Sequence, residues 1–183
     1  MNQLKRLSEK HPDYWNKPVP AHGRDDARLL IVGLAPGLHG ANKTGIPFVG
    51  DASGNLLHDV LDALNLTERV RITNAVKCLP VKNLPSAREV NNCSRYLVDE
   101  LNAHRLLPQA TLLVLGGVAH KAVIKVLDAR QADFPFSHGA VHQLSDLKIV
   151  DSYHCSRYNT QTGRLTREMF LDTVRLAGNM AYQ

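Results

Sequence analysis

Residues 29–51, LLIVGLAPGLHGANKTGIPFVGD, decide the fold of this chain. Leu29, Leu30, Ile31 and Val32 form an unbroken apolar run, the pattern of a strand buried on both faces of a parallel sheet. The run breaks at Gly33 into a long loop carrying Gly37, Gly40, Gly45 and Gly50, which ends at Asp51 just before a helix expected from about Ser53. Loops of this length inside a compact domain are usually functional or disordered. Ile46, Pro47, Phe48 and Val49 make this one too apolar for a solvated tether. In an open α/β sheet, ligands bind in the crevice beyond the carboxyl ends of the strands. The plain alternative is an ordinary strand–helix connection.

Strands and helices alternate outward from this stretch. Leu56, Leu57, Val60, Leu61 and Leu64 recur as the buried face of an amphipathic helix. Residues 70–76 read as a second strand, and Ser86 with Glu89 as a capping box opening a helix to about His104. Thr111–Leu115 is a third buried strand stopped by Gly116 and Gly117, followed by a helix over residues 118–128. Val141–Leu144 reads as a short edge strand turning through Ser145 and Asp146 into residues 148–152. Residues 154–165 read as a second long loop, and Thr166 caps a closing helix over residues 167–181. Residues 1–27 read as a short helix followed by an irregular, proline-bearing arm. This alternation predicts a parallel sheet covered on both faces, in one domain over residues 1–183. Asp51, Asn74 and His154 then emerge on the same sheet edge.

With 44% hydrophobic residues the composition is ordinary for a globular protein. No apolar run approaches the roughly 18 residues of a membrane span, and the N-terminus has no apolar segment of a signal peptide. Three cysteines, an odd number, argue against a disulfide framework and for a reducing, cytoplasmic setting. The formal charge of +5 permits a polyanionic partner without requiring one.

Common cofactor motifs fit poorly. Ala35 and Leu38 stand where G-x-G-x-x-G needs its second and third glycines, and no G-K-[ST] follows. There is no Cys-x-x-Cys, and the nine histidines show no ligand spacing, so no metal site is expected. A Cys155–His154 dyad is a poor nucleophile and base, because neighbours in an extended segment point to opposite faces.

GLAPGLHGANKTGIPFVGD (residues 33–51) resembles the first motif of the uracil-DNA glycosylase superfamily, and SYHCSRYNTQTGRLT (residues 152–166) resembles its second. Both are most similar to the type-b (fifth) family, and the similarity runs from about Tyr14 to the C-terminus. The resemblance implies a three-layer α/β sandwich around a central four-stranded parallel sheet. It implies a monofunctional base-excision-repair glycosylase, a monomer acting on DNA that contains uracil or other deaminated bases such as hypoxanthine or xanthine. Such an enzyme flips the nucleotide into a pocket and hydrolyses the N-glycosidic bond, leaving an abasic site. Asp51 and His154 are then catalytic, the first beside the sugar and its attacking water, the second donating to uracil O2. Gly33, Leu34, Ala35, Phe48 and Asn74 hold the base, with Phe48 stacking on it. Asn42, Lys43, Ser156, Arg157, Tyr158, Asn159 and Arg164 contact DNA, with Arg157 and Tyr158 filling the vacated stack. Apart from the resemblance, Asp51 is a helix N-cap, His154 a polar strand cap, Phe48 a core aromatic, and Arg157 and Tyr158 exposed loop residues.

The chain departs from the family pattern in four places. Asn74 stands where the type-b family often has a small apolar residue, as in the type-a (fourth) family, and an amide offers the uracil edge both a donor and an acceptor. Cys155 replaces a proline, and Gly37 an alanine. Relatives carry a [4Fe–4S] cluster on four cysteines, of which only Cys78 and Cys93 have counterparts here. Three cysteines cannot supply that set, so no cofactor is expected; a ligand such as His11 is the remaining route to one. The competing readings are a non-catalytic damaged-DNA binder that has lost cluster and activity, and an unrelated nucleotide-binding α/β enzyme.

Overall fold

Alternate residues of the first long strand face two different cores. The computed structural model describes residues 2–82 and 84–183, so Met1 and Asn83 within the single-domain reading lie outside the described residues. Strand β1 (His22–Gly23) precedes β2 (Leu29–Gly33), β3 (Val70–Asn74), β4 (Thr111–Leu115), β5 (Val141–Leu144) and β6 (Leu147–Ser152). Helices α1 (Asn2–Lys10), α2 (Ala41–Thr44), α3 (Ala52–Ala63), α4 (Ala87–His104), α5 (Gly117–Val126), α6 (Arg157–Gln161) and α7 (Arg167–Tyr182) connect them. Leu29 and Ile31 pack with Leu57 and Leu61 of α3 and Phe170 and Val174 of α7. Leu30 and Val32 face Leu97 and Leu101 of α4 and Val123 of α5. The period of two in a strand thus divides one apolar run between two helical layers.

The sheet has six strands in the order β1-β3-β2-β4-β6-β5. Its four central strands are parallel, as the α/β sandwich reading requires, and antiparallel β1 and β5 extend the edges. The β5–β6 hairpin matches the sequence expectation. The two-residue β1 carries no apolar pattern, which is why the arm conceals it. Chain order reverses at β2, with β3 on one side and β4 on the other, and such a switch point opens a crevice at the carboxyl edge. No helix among the described residues is long and apolar enough to cross a membrane.

The N-terminal arm is held to the first-motif loop by amides. Asn42 is fully buried and donates through Nδ2 to Asn16 Oδ1 at 2.9 Å, while Asn16 Nδ2 donates to the His11 carbonyl at 2.7 Å. Backbone bonds from Trp15 to Lys43 and from Asn16 to Asn42 complete the seam. The expectation that the Asn42 side chain contacts DNA is corrected by this burial: the amide lies inside the fold, with Nδ2 taken by Asn16.

Asn42→Ala removes one partner of a buried hydrogen bond, so it should cost about 1–3 kcal/mol in denaturant unfolding. Unchanged stability with lost DNA affinity would return Asn42 to the DNA contacts. A second expectation concerns His104, buried at the end of α4, whose Nε2–H donates to the Thr111 carbonyl at 3.1 Å. Burial pushes its pKa down to about 4. The unfolded chain protonates first, near pH 6.5, so this group's stability is present above that pH. It is lost as pH falls towards 4, amounting to about 3 kcal/mol. Comparing pH-dependent denaturation of the protein and of His104→Gln isolates this contribution; identical slopes would refute it.

Candidate active site

Four strand ends meet around one cavity of about 630 Å³. Leu34 to Gly37 leave β2, Asn74 ends β3, Leu115 to Ala119 leave β4, and Tyr153, His154, Ser156 and Asn159 follow β6. The parallel register sets Gly33 beside Asn74 and Leu115 beside Ser152, so residues far apart in sequence reach one edge.

Gly33 itself is buried and does not line the cavity; its missing side chain matters instead. A Cβ there would strike Asn74 Oδ1 and the Phe48 ring, so glycine lets both close over the strand end. Phe48 adopts φ +55, a left-handed conformation that costs a non-glycine residue about 1–3 kcal/mol and concentrates at functional sites. Its ring lies 6.0 Å from that of His154, inclined by 30°. The Asn74 side chain is buried, lines the cavity, and has no hydrogen-bond partner among the described residues.

Asp51 caps α3: Oδ1 accepts from the Gly54 amide at 2.9 Å. Its other oxygen lies against Gly40, where any Cβ would collide with it, and the residue lines the cavity. One carboxylate thus caps the helix through Oδ1 and belongs to the cavity wall. His154 also lines the cavity, and burial lowers its pKa while the nearby Asp51 carboxylate pulls the other way. The net depression leaves a neutral imidazole at neutral pH.

The second-motif segment is not a plain loop. Ser156 caps a short helix, α6, accepting from the Asn159 amide, and Asn159 Nδ2 donates to the His154 carbonyl at 2.8 Å. Ser156 and Asn159 thus organise the backbone that presents His154. Their hydrogen bonds are local, a capping pattern that a Ser-x-x-Asn spacing could have signalled. Buried Cys155, in the proline's place, anchors the segment by donating to the Ser53 carbonyl. Tyr158 is 72% exposed at the cavity rim, whereas Arg157 borders a separate surface depression beside Leu56 and Thr160. Arg164 stacks its guanidinium on Tyr153 at 4.6 Å, at the cavity. Exposed Lys43 lies over the Tyr14 ring, away from it.

Sequence reasoning passed over Gly116, Phe136 and Tyr153 as cavity walls, although Gly116 follows β4 at the switch point where a site is expected. It also treated the histidines as scattered, yet folding gathers His120, His142 and Asp151. Burial and the neighbouring Cys93 raise the Cys78 thiol, while Cys155 stands in the other motif. His11 stacks on Tyr14 at 4.7 Å.

The model of the uracil DNA glycosylase superfamily matches residues 20–177. The type-5 uracil-DNA glycosylase of Thermus thermophilus is 43% identical, over 92% of this chain and 82% of its own. That of Pyrobaculum aerophilum is also 43% identical, over 90% and 76%. The type-4 uracil-DNA glycosylase of Archaeoglobus fulgidus is 34% identical over 74% and 69%. With both motif loops folded around one cavity and a match across most of its length, the chain belongs to the uracil DNA glycosylase superfamily, in company with the type-5 enzymes.

Proposed function

We propose that this protein is a monofunctional uracil-DNA glycosylase that takes a flipped base into the cavity and hydrolyses its N-glycosidic bond. The observation that carries the reading is the placement of the Asp51 carboxylate and the neutral His154 imidazole on one cavity, with the Phe48 ring and a free Asn74 amide between strand ends. A duplex buries the scissile bond, so the nucleotide must leave the stack. Phe48 then stacks on the base, and Asn74 offers a donor and an acceptor to its Watson–Crick edge.

Bond cleavage leaves positive charge on the sugar and negative charge on the base. Asp51 answers the first and orients the attacking water; a hydrogen donated by His154 answers the second at uracil O2. A neutral imidazole suits this role, because it donates without carrying the cost of a buried cation. Tyr158 at the rim fills the vacated stack, and Arg164, Arg157 and Lys43 face the phosphates. The cavity lining holds no lysine among the described residues, which favours hydrolysis over Schiff-base strand cleavage. The working unit in this reading is a monomer, and the free thiols suit a cytoplasmic setting.

Only two neighbouring cysteines stand where relatives hold four, so the enzyme works without an iron–sulfur cluster, and no step is assigned to one. Its N-terminal arm is held instead by the Asn16–Asn42 pair and by Trp15 covering Gly45. Protein purified anaerobically should lack visible iron–sulfur absorbance; brown protein with about four irons per chain would overturn this.

The direct test is single-turnover kinetics on a duplex with one uracil. Free uracil and an intact abasic strand are expected, with no adduct trapped by borohydride. Asp51→Asn is the informative variant, since asparagine caps a helix about as well as aspartate. Stability and DNA affinity should hold while the rate falls by about a hundredfold or more. An unchanged rate would confine Asp51 to capping.

A further inference from the structure

Asp151 on β6 lies three residues ahead of His154, and its carboxylate is fully buried. Two imidazoles from two other elements converge on it. His120 of α5 sets Nδ1 2.8 Å from Oδ1, and His142 of β5 sets Nε2 2.9 Å from Oδ2. The ligand-type atoms of all three residues lie within 4.8 Å of one another. His120 Nε2 is 2.8 Å from the Phe134 carbonyl. A carbonyl only accepts, so Nε2 carries a hydrogen, and Nδ1 is the nitrogen turned to Asp151. An imidazole whose far N–H is held by a backbone carbonyl is how proteins orient a metal-binding histidine. Phe136 meets the edge of His120 at 5.6 Å, and Phe134 that of His142 at 5.7 Å. The polar trio is thus sleeved by apolar rings.

We propose that His120, His142 and Asp151 form a binding site for a zinc-class divalent cation. Two imidazole nitrogens and one carboxylate oxygen are the donor set of borderline metals; calcium and magnesium take oxygens. Tetrahedral zinc spaces its ligand atoms by about 3.4 Å, so the two nitrogen–oxygen pairs already lie close enough. What remains is for the imidazoles to open slightly around an ion, and His142 sits on the edge strand, where movement is least restrained. Its side chain is 10% exposed, against 2% and 0% for His120 and Asp151, so the ion and a water as fourth ligand enter from that edge.

Without a metal, His120 must carry hydrogens on both nitrogens to meet the carbonyl and the carboxylate. That makes a buried imidazolium–carboxylate pair, whose desolvation offsets its attraction. Binding releases the Nδ1 proton to solvent and joins α5, β5 and β6 through one ion. None of the three residues lines the catalytic cavity, so the ion braces the strand that leads to His154 and takes no part in hydrolysis.

The test uses the untagged full chain, stripped with a chelator and titrated with zinc or cobalt chloride. About one ion per chain should survive desalting, and the thermal midpoint should rise by about 4 °C or more. The cobalt form should show the visible bands of a tetrahedral site. His142→Gln keeps a donor for Asp151 while removing the ligand; it should excise uracil normally but lose the bands and the shift. The Cys78→Ser, Cys93→Ser double variant should keep both. No retained ion and no shift in the unaltered protein would overturn the proposal, as would bands that survive His142→Gln and vanish with the cysteines.

Discussion

Parallel pairing of β2 with both β3 and β4 is the constraint on which the rest of the molecule depends. It sets Gly33 beside Asn74, and through β6 it brings Leu115 level with Ser152. Four carboxyl ends therefore open on one edge, and the segments that leave them build most of the cavity wall. A slip of one residue would turn the strands over and send Leu29 and Ile31 into the wrong helical layer. The apolar alternation that builds the two cores is thus also what aims the site.

Within that frame the first-motif loop divides its labour atom by atom. Asp51 caps α3 through Oδ1, its Oδ2 lies against Gly40, and the residue also lines the cavity, so one side chain belongs to both the helix start and the cavity wall. Phe48 holds a strained left-handed backbone conformation with its ring beside that of His154. Phe48 belongs to the same buried cluster as Leu57 and Leu61, which holds its ring in place at the cavity.

Much of this was legible from residues alone. The run Leu29 to Val32 announced a doubly buried strand, Ser86 and Glu89 a capping box that the structure contains, and the two motif loops a shared edge. Asn42 was misread because a polar residue in a loop looks available to solvent; only folding shows that the arm covers it. The helix α6 was hidden because five residues cannot show a helical period. The His120, His142 and Asp151 trio joins residues up to 31 positions apart, across elements whose neighbours only the sheet order reveals. Local pattern carries elements and caps, whereas long-range convergence of polar groups has no local signature.

The central claim is that Asp51 and His154 address opposite ends of one scissile bond. A crystal structure of Asp51→Asn bound to a uracil-containing duplex tests it most directly. The account predicts uracil stacked on Phe48, its O2 within hydrogen-bonding distance of the His154 ring, its edge on the Asn74 amide, and the residue 51 side chain nearest the sugar. A flipped base seated elsewhere, or O2 facing away from His154, would contradict it.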